Sequence, residues 1–244
     1  MIPPLRAVSF DYWDTLYEGA TVPERKDKRR LAVHRMLAAV GCTATAAEID
    51  AIYRESAIEA DRWWREEHRG YTADERIRWM LTRLSIERPA DCEHVATVVR
   101  AVDDALLDVP PQLLPGADRM LASVASRTRL AIISDTGFAS GRAQDRLLEA
   151  HDLRRLFDVT VYSADVGHAK PRPEPFRAAI AALGVRPDEI IHVGDNERTD
   201  VGGALAAGLR AVRVDFVRPG GPSAGEFVAR SIRELEEYLL SQVA

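Results

Sequence analysis

The sequence predicts an α/β protein, with a doubly wound, Rossmann-like parallel sheet and an inserted α-helical segment. Short apolar runs recur along the chain, and segments of helix length with apolar residues at spacings of three and four separate the later runs. Strands that alternate with helices form βαβ units, in which the strands lie parallel. Between the first two runs lies a long stretch with helical periodicity and almost no β-branched clusters, which predicts a separate helical insert.

The predicted strands are short apolar runs, and the predicted helices lie between or after them. The strands are Ala7–Phe10, 130–133, Val159–Tyr162, 190–193 and 211–214. The helices of the sheet domain are 142–150, 174–183 and 200–207. An amphipathic segment, 232–240, predicts a C-terminal helix that closes the sheet.

The helical insert is predicted to occupy residues 18–110, and the sheet domain residues 1–17 and 111–244. Two helix starts inside the insert carry capping boxes, in which a hydroxyl and a carboxylate satisfy free backbone amides reciprocally. These boxes pair Thr45 with Glu48 and Thr72 with Glu75.

The other conspicuous side chains of the insert are aromatic or charged. The aromatic residues at helical spacing are expected to pack inside the insert and not to line a substrate pocket. They are Tyr53, Trp63, Trp64 and Trp79. Tyr71 is left open between the two roles. The charged run PERKDKRR, which contains Lys26 and Lys28, is typical of a solvated helix face.

Composition and charge exclude several classes of protein. Hydrophobic residues make up 46% and charged residues 29% of the 244 residues, as in ordinary globular chains. The net charge of -5 gives little support for a nucleic-acid partner. We find neither a leader pattern nor an apolar run of membrane-spanning length. Cys42 and Cys92 lack disulfide or zinc spacing, so a cytoplasmic protein without a membrane partner is expected.

Polar residues follow several predicted strands at the edge where open parallel sheets bind ligands. Asp11 follows the first strand, and a carboxylate there can act as a nucleophile or a metal ligand, although an Asp at a turn is equally common. Ser134 and Asp135 follow the second strand and suit hydrogen bonding to phosphate, although such clusters also form ordinary turns. Asp195 and Asp200 follow the fourth strand.

Lys170 is one of only three lysines in a chain that contains thirty arginines. A compact ammonium on a flexible stem suits a point-charge contact to both a carboxylate and a phosphate. The alternative is a solvated surface lysine. We predict that Lys170 belongs to the site.

A convergence of Asp11, Asp195 and Asp200 predicts a magnesium site. Each like-charge pair near 4 Å would cost on the order of 4 kcal/mol at an effective dielectric of about 20, and one lysine cannot offset three such pairs. A hard divalent cation with oxygen ligands can offset this repulsion. Mg²⁺ bound by carboxylates, a carbonyl, water and a substrate phosphate is the usual arrangement in such sites.

Taken in order, the strings FDYWDTL, IISDT, GHAKPRP and VGDNERTD resemble the four signature motifs of the haloacid dehalogenase-like (HAD) superfamily. The resemblance implies a Rossmannoid core with strand order 5-4-1-2-3 and a helical cap of the C1 type. It also implies hydrolysis of a small phosphorylated metabolite, with Mg²⁺ as cofactor.

The resemblance implies a role for each matched position. Asp11 would be the nucleophile that forms a covalent intermediate, Ser134 would hold the phosphoryl oxygens, and Lys170 would stabilise nucleophile and intermediate. Asp195 would bind Mg²⁺ with support from Asp200.

The chain departs from the family pattern at Trp13, where an acidic residue usually acts as general acid and base. The metal is not affected, because that position contributes its backbone carbonyl to Mg²⁺. Proton transfer is affected, and a positioned acid or base is typically worth 10²- to 10⁴-fold in rate. Asp14 can replace the missing acidic residue only if the loop turns, since successive side chains of an extended segment point to opposite sides.

Three alternatives to a phosphohydrolase remain open at this point. A 2-haloacid dehalogenase needs no proton for the departing halide, but the Asp195 and Asp200 carboxylates would repel an anionic substrate. Phosphonate cleavage would need a cap lysine, and Lys26 and Lys28 are the only candidates. A catalytically silent protein of this fold that binds a phosphorylated ligand or a partner is the third.

Overall fold

The computed structural model describes residues 4–19, 22–86 and 92–243. A six-stranded parallel sheet forms its centre, with strand order β3-β2-β1-β4-β5-β6. The strands are β1 (Ala7–Phe10), β2 (Arg129–Ser134), β3 (Val159–Tyr162), β4 (Ile190–Gly194), β5 (Arg210–Val214) and β6 (Phe227–Ala229). The predicted order 5-4-1-2-3 is confirmed, and β6 extends the sheet beyond β5.

Five helices lie between β1 and β2 in the described part of the chain, and the first four of them form the insert. These four are α1 (Pro23–Ala39), α2 (Ala46–Arg65), α3 (Ala73–Arg83) and α4 (Cys92–Asp108). Both predicted capping boxes are present at the starts of α2 and α3. The helices share an apolar core of their own around Val33, Ile77 and Val102, which Phe138 from the sheet side joins. We refer to residues 22–109 as the helical insert.

The remaining helices pack on the two faces of the sheet. They are α5 (Ala117–Ala125), α6 (Gly141–Ala150), α7 (Ser163–Val166), α8 (Pro173–Leu183), α9 (Gly202–Ala206) and α10 (Ile232–Gln242). Alternate residues of β1 pack in separate apolar clusters on opposite faces of the sheet. Phe10 packs with α5, α6 and α10, whereas Ala7 packs with α8 and α9. The sheet is therefore covered on both sides, as expected for parallel strands.

The start of the predicted helix 200–207 is wrong. A single π-helical turn, Glu197–Val201, comes first, and α9 follows it. The side chain of Asn196 accepts hydrogen bonds from the backbone amides of Arg198 and Thr199. These bonds cap the start of the turn, so the turn begins before Asp200. Asp200 therefore lies inside the turn and not at a helix start.

A backbone seam joins the helical insert to the loop after α7. The amide of Ala169 donates to the carbonyl of His68 at 2.9 Å, and the amide of Gly70 donates to the carbonyl of Gly167 at 3.2 Å. A Cβ atom at Gly70 would lie 1.8 Å from the carbonyl oxygen of Ser163, so no larger residue fits there without a shift of the backbone. We call this contact, between residues 68–70 and 167–169, the seam.

Parts of two sequence-based expectations fall outside the described residues. These parts are residues 1–3, 20–21, 87–91 and 244 of the predicted domains and the side chain of Cys92. Cys42 is a free cysteine. None of the described helices is both long enough and apolar enough to cross a membrane.

Candidate active site

The carboxyl ends of two adjacent strands, β1 and β4, and the turn that follows β4 bring the predicted acidic residues together. Asp11 directly follows β1 and Asp195 directly follows β4, while Asp200 reaches the same place from the π-helical turn. One oxygen from each of these three carboxylates lies within 4.8 Å of the others. The convergence expected from the sequence is therefore observed.

Lys170 is the cation at the centre of this cluster. Its Nζ atom lies 2.6 Å from Oδ1 of Asp11 and 2.6 Å from Oδ1 of Asp200, and it donates to the carbonyl of Ile133 at 2.9 Å. The lysine is 2% exposed. The alternative of a solvated surface lysine is therefore wrong, because all three ammonium protons have buried acceptors.

Burial and charge set the protonation of the cluster. Burial raises the pKa of Asp11 well above its usual value, and Lys170 opposes this only in part. Burial has the same tendency at Asp200, but Lys170 and His192 outweigh it and lower the pKa of Asp200 below its usual value. Burial would lower the pKa of Lys170, yet the surrounding carboxylates raise it. Lys170 and Asp200 are thus charged at neutral pH, whereas ionised Asp11 needs a further cation.

Asp200 is fixed by one group inside its motif and one outside it. Its Oδ2 accepts a hydrogen bond from the amide of Asn196 at 3.0 Å, and its Oδ1 lies 3.3 Å from Nε2 of His192. Burial lowers the pKa of His192, so the ring is neutral, and Nδ1 accepts from Ser9 at 2.9 Å while Nε2 donates to Asp200. Sequence reasoning missed Ser9 and His192, for which a histidine inside an apolar strand was the available signal.

Asp195 differs from the other two carboxylates because it is partly exposed and has no hydrogen-bond partner among the described residues. Burial, with the charges of Asp200 and Asp14, raises the pKa of Asp195 to about 6. A carboxylate that is crowded by like charges and free of protein donors suits a cation ligand. The oxygen donors of Asp11, Asp195 and Asp200 therefore fit a hard divalent cation.

The end of β2 is arranged differently from the predicted phosphate-binding cluster. The hydroxyl of Ser134 is buried and donates to Oε1 of Gln144 at 2.8 Å. Oδ1 of Asp135 accepts from the amide of Lys170 at 3.0 Å, and its Oδ2 accepts from the indole of Trp64 at 2.8 Å. Asp135 thus orders the Lys170 loop and contacts the helical insert. The phosphate-binding roles of Ser134 and Asp135 stay predictions.

Trp13 and Asp14 both face the cavity above the carboxylates. The backbone of Asp14 adopts a φ of 55°, a left-handed conformation that bends the chain after Trp13. The expectation that their side chains point to opposite sides is therefore wrong, because the segment is not extended. Oδ1 of Asp14 accepts from the amide of Gly19 at 2.7 Å, and its Oδ2 forms an ion pair with Arg218.

The cavity has a volume of about 430 Å³ and lies between the sheet edge and the helical insert. The insert contributes Trp64 and Tyr71 to its wall, so the expectation that Trp64 only packs the insert is wrong. Arg25 and Arg29 also line it and are buried, so the charged run of α1 is not a uniformly solvated face. They lie four residues apart on one face of the helix, but Lys26 and Arg30 have the same spacing, so the sequence does not show which pair is buried.

Comparison with known proteins agrees with this fold. A model of the haloacid dehalogenase-like hydrolases matches residues 5–208, and the chain belongs to that family of enzymes. Over 131 residues it is 38% identical to a phosphoserine phosphatase from Thermus thermophilus, which covers 53% of this chain and 51% of that protein. The chain thus aligns with about half the length of this relative.

Two further similarities extend over more of the chain. Over 220 residues it is 28% identical to a glyceraldehyde 3-phosphate phosphatase from Methanopyrus kandleri, covering 86% of this chain and 84% of that one. The structure of a 2-haloacid dehalogenase from Pseudomonas syringae pv. Tomato DC3000 superposes with a TM-score of 0.69 at 22% identity, covering 98% of this chain and 99% of that one. The last similarity concerns the fold alone.

Proposed function

We propose that this protein is a Mg²⁺-dependent phosphohydrolase that acts on a small phosphorylated metabolite through an aspartyl-phosphate on Asp11. One observation carries the proposal: the buried carboxylate of Asp11 lies at the cavity floor, with Oδ1 held at 2.6 Å by Lys170. A fixed orientation of this kind is what a nucleophile needs to attack a phosphorus atom in line with the leaving oxygen.

The reaction would proceed in two steps on the chain's own groups. A carboxylate oxygen of Asp11 forms a bond to phosphorus while the bond from phosphorus to the substrate oxygen breaks. Water then attacks the phosphorus of the acyl phosphate and releases inorganic phosphate and free Asp11. Lys170 stays beside the reacting carboxylate throughout and offsets its negative charge.

Mg²⁺ would be held by Asp11 and Asp195, with Asp200 in support and the backbone carbonyl of Trp13 as a further ligand. The crowding of three carboxylates around one ammonium supports this assignment. When bound, the ion would supply the positive charge that keeps Asp11 ionised and neutralises the phosphoryl oxygens.

The leaving oxygen needs a proton unless the departing alcohol is acidic, and Trp13 cannot supply one. Asp14 is a carboxylate on the same cavity wall, but Gly19 and Arg218 already occupy its oxygens. We therefore propose slow turnover of ordinary alkyl phosphates and faster turnover of substrates with good leaving groups. The helical insert would act as a cap of the C1 type, since it closes the cavity over the carboxylates.

A phosphatase assay with and without Mg²⁺ tests the proposal, with p-nitrophenyl phosphate and a panel of alkyl phosphates. Asp11→Asn should lower the rate by roughly 10³-fold or more. The matched control Asp188→Asn, at an exposed residue paired with Arg186, should leave it unchanged. Trp13→Asp should raise the rate on alkyl phosphates by about 10²-fold.

Two outcomes would contradict the proposal. Halide release from a 2-haloacid that persists in EDTA would indicate a dehalogenase. Binding of inorganic phosphate without hydrolysis of any phosphate ester would indicate a catalytically silent protein.

A further inference from the structure

Two arginines on the insert side of the cavity have no acidic partner among the described residues. Arg25 and Arg29 are 2% and 8% exposed, and both line the cavity. Two other cations of the same helix are paired with acids, since Lys28 lies 2.8 Å from Asp108 and Arg30 lies 3.1 Å from Asp50. The buried cations of α1 are thus unpaired, whereas these more exposed ones are neutralised.

The hydrogen bonds of the two guanidinium groups are incomplete. Nε of Arg25 donates to the carbonyl of Val109 at 2.8 Å, but its Nη2 is buried and has no partner among the described residues. Nε of Arg29 reaches the carbonyl of Val102 only at 3.4 Å. Burying two guanidinium groups with unused donors is costly, and an anion beside the pair would lower this cost. The cavity that both arginines line is the open space next to them.

Neighbouring charges increase this cost. Burial lowers the pKa of Arg29 to about 10, and the positive charges of Arg25 and Arg76 act in the same direction. Arg76 is itself buried and lies over the ring of Phe138, 4.1 Å from its centroid. The carboxylate that opposes this charge at a distance, Asp103, is bound by the amide and hydroxyl of Ser140 at 2.8 and 2.7 Å. Asp61 of the insert also lines the cavity, but Arg65 pairs with it at 2.8 Å. The insert wall therefore keeps a net positive charge from Arg25 and Arg29, opposite a floor of carboxylates.

We propose that Arg25 and Arg29 form a subsite for a second anionic group, a carboxylate or a phosphate, on the substrate whose phosphoryl group reaches Asp11. The inference rests on the proposed phosphohydrolase function and narrows its substrate class to phosphate esters with an acidic tail. Guanidinium forks match the planar oxygen pairs of such groups. The negative floor repels the tail, so the substrate has one favourable orientation.

Calorimetric binding to the Asp11→Asn protein with Mg²⁺ tests the subsite without turnover. Three ligands share one carbon skeleton: 3-hydroxypropyl phosphate, 3-(phosphonooxy)propanoate and propane-1,3-diyl bisphosphate. We expect one of the anionic tails to improve Kd by about 10- to 100-fold over the hydroxyl tail. The tighter of the two anionic ligands identifies the group as carboxylate or phosphate.

Variants of α1 separate a local contact from a general charge effect. Arg25→Gln should abolish the preference for the anionic tail, and Arg30→Gln, with the same charge change on the same helix, should retain it. Arg29→Lys, which keeps the charge but loses the fork, serves if Arg25→Gln does not fold, and it should weaken the preference. Equal affinity of the three ligands for the parent protein, or an undiminished preference in folded Arg25→Gln or Arg29→Lys, would overturn the subsite.

Hydrolysis of p-nitrophenyl phosphate by the protein with native Asp11 reports on the proposed function separately. Hydrolysis of this ester with no preference for an acidic tail would leave the phosphohydrolase standing and remove the subsite. A preference in binding without hydrolysis of any ester would support the subsite and remove the phosphohydrolase.

Discussion

The indole nitrogen of Trp64, in the helical insert, donates a hydrogen bond of 2.8 Å to Oδ2 of Asp135 at the sheet edge. Burial raises the pKa of Asp135, while Lys170 and Trp64 counteract it. The same carboxylate accepts from the amide of Lys170 at 3.0 Å. A single partly buried acid thus connects the insert, the second strand and the loop that carries the site lysine.

Replacement of Trp64 by Phe should destabilise the protein, because the helical insert loses a hydrogen bond to the partly buried carboxylate of Asp135. We expect a loss of about 0.5 to 1.5 kcal/mol in the free energy of unfolding, measured by urea denaturation. Trp79→Phe is the matched control, because this partly buried indole packs against the insert core without contacting Asp135. Equal losses in the two variants would show that only ring size matters.

Lys170→Met should destabilise the metal-free protein by about 3 to 5 kcal/mol, since it leaves Asp11 and Asp200 buried without their shared cation. MgCl₂ should then raise the melting temperature of the variant more than that of the unmodified protein, because the ion restores the missing positive charge. Thermal denaturation with and without Mg²⁺ measures both effects. Lys28→Met, at an exposed ion pair with Asp108, should change little. An identical response of both proteins to Mg²⁺ would contradict the shared-charge explanation.

Mg²⁺ binding should weaken as the pH falls below about 6. Burial and nearby carboxylates raise the pKa of Asp195 to about 6, so that in the metal-free protein a proton occupies this carboxyl at lower pH. A proton and a cation cannot share the ligand, and the apparent Kd should rise by about tenfold between pH 7 and pH 5. Calorimetric titration at several pH values measures the change. Asp195→Asn should bind weakly and lose the part of the pH response near pH 6, and an unchanged pH response in that variant would place the titrating group elsewhere.

The sequence predicted the sheet well because buried parallel strands have an unmistakable apolar pattern. All five predicted strands form, and their carboxyl ends bring Asp11 and Asp195 together as expected. The sixth strand, Phe227–Ala229, escaped prediction because three residues after a glycine-rich loop carry no measurable periodicity.

The rest of the site depends on contacts between segments that are far apart in the sequence. Arg25 and Arg29 lie in a run that is charged on every side, and only the packing of α1 decides which cations face inward. The contact between Trp64 and Asp135 bridges 71 positions and has no local pattern. Asp14 faces the cavity because of one left-handed residue, which periodicity cannot indicate.

Gly70 restricts how the insert can be exchanged in a chimera. The seam needs a residue without a side chain at this point, because a Cβ would lie 1.8 Å from the Ser163 carbonyl oxygen. A foreign helical segment grafted between β1 and β2 could satisfy both covalent junctions and still fail to dock. Designers of hybrid enzymes on this scaffold should therefore treat 68–70 and 167–169 as a third junction and transfer them together.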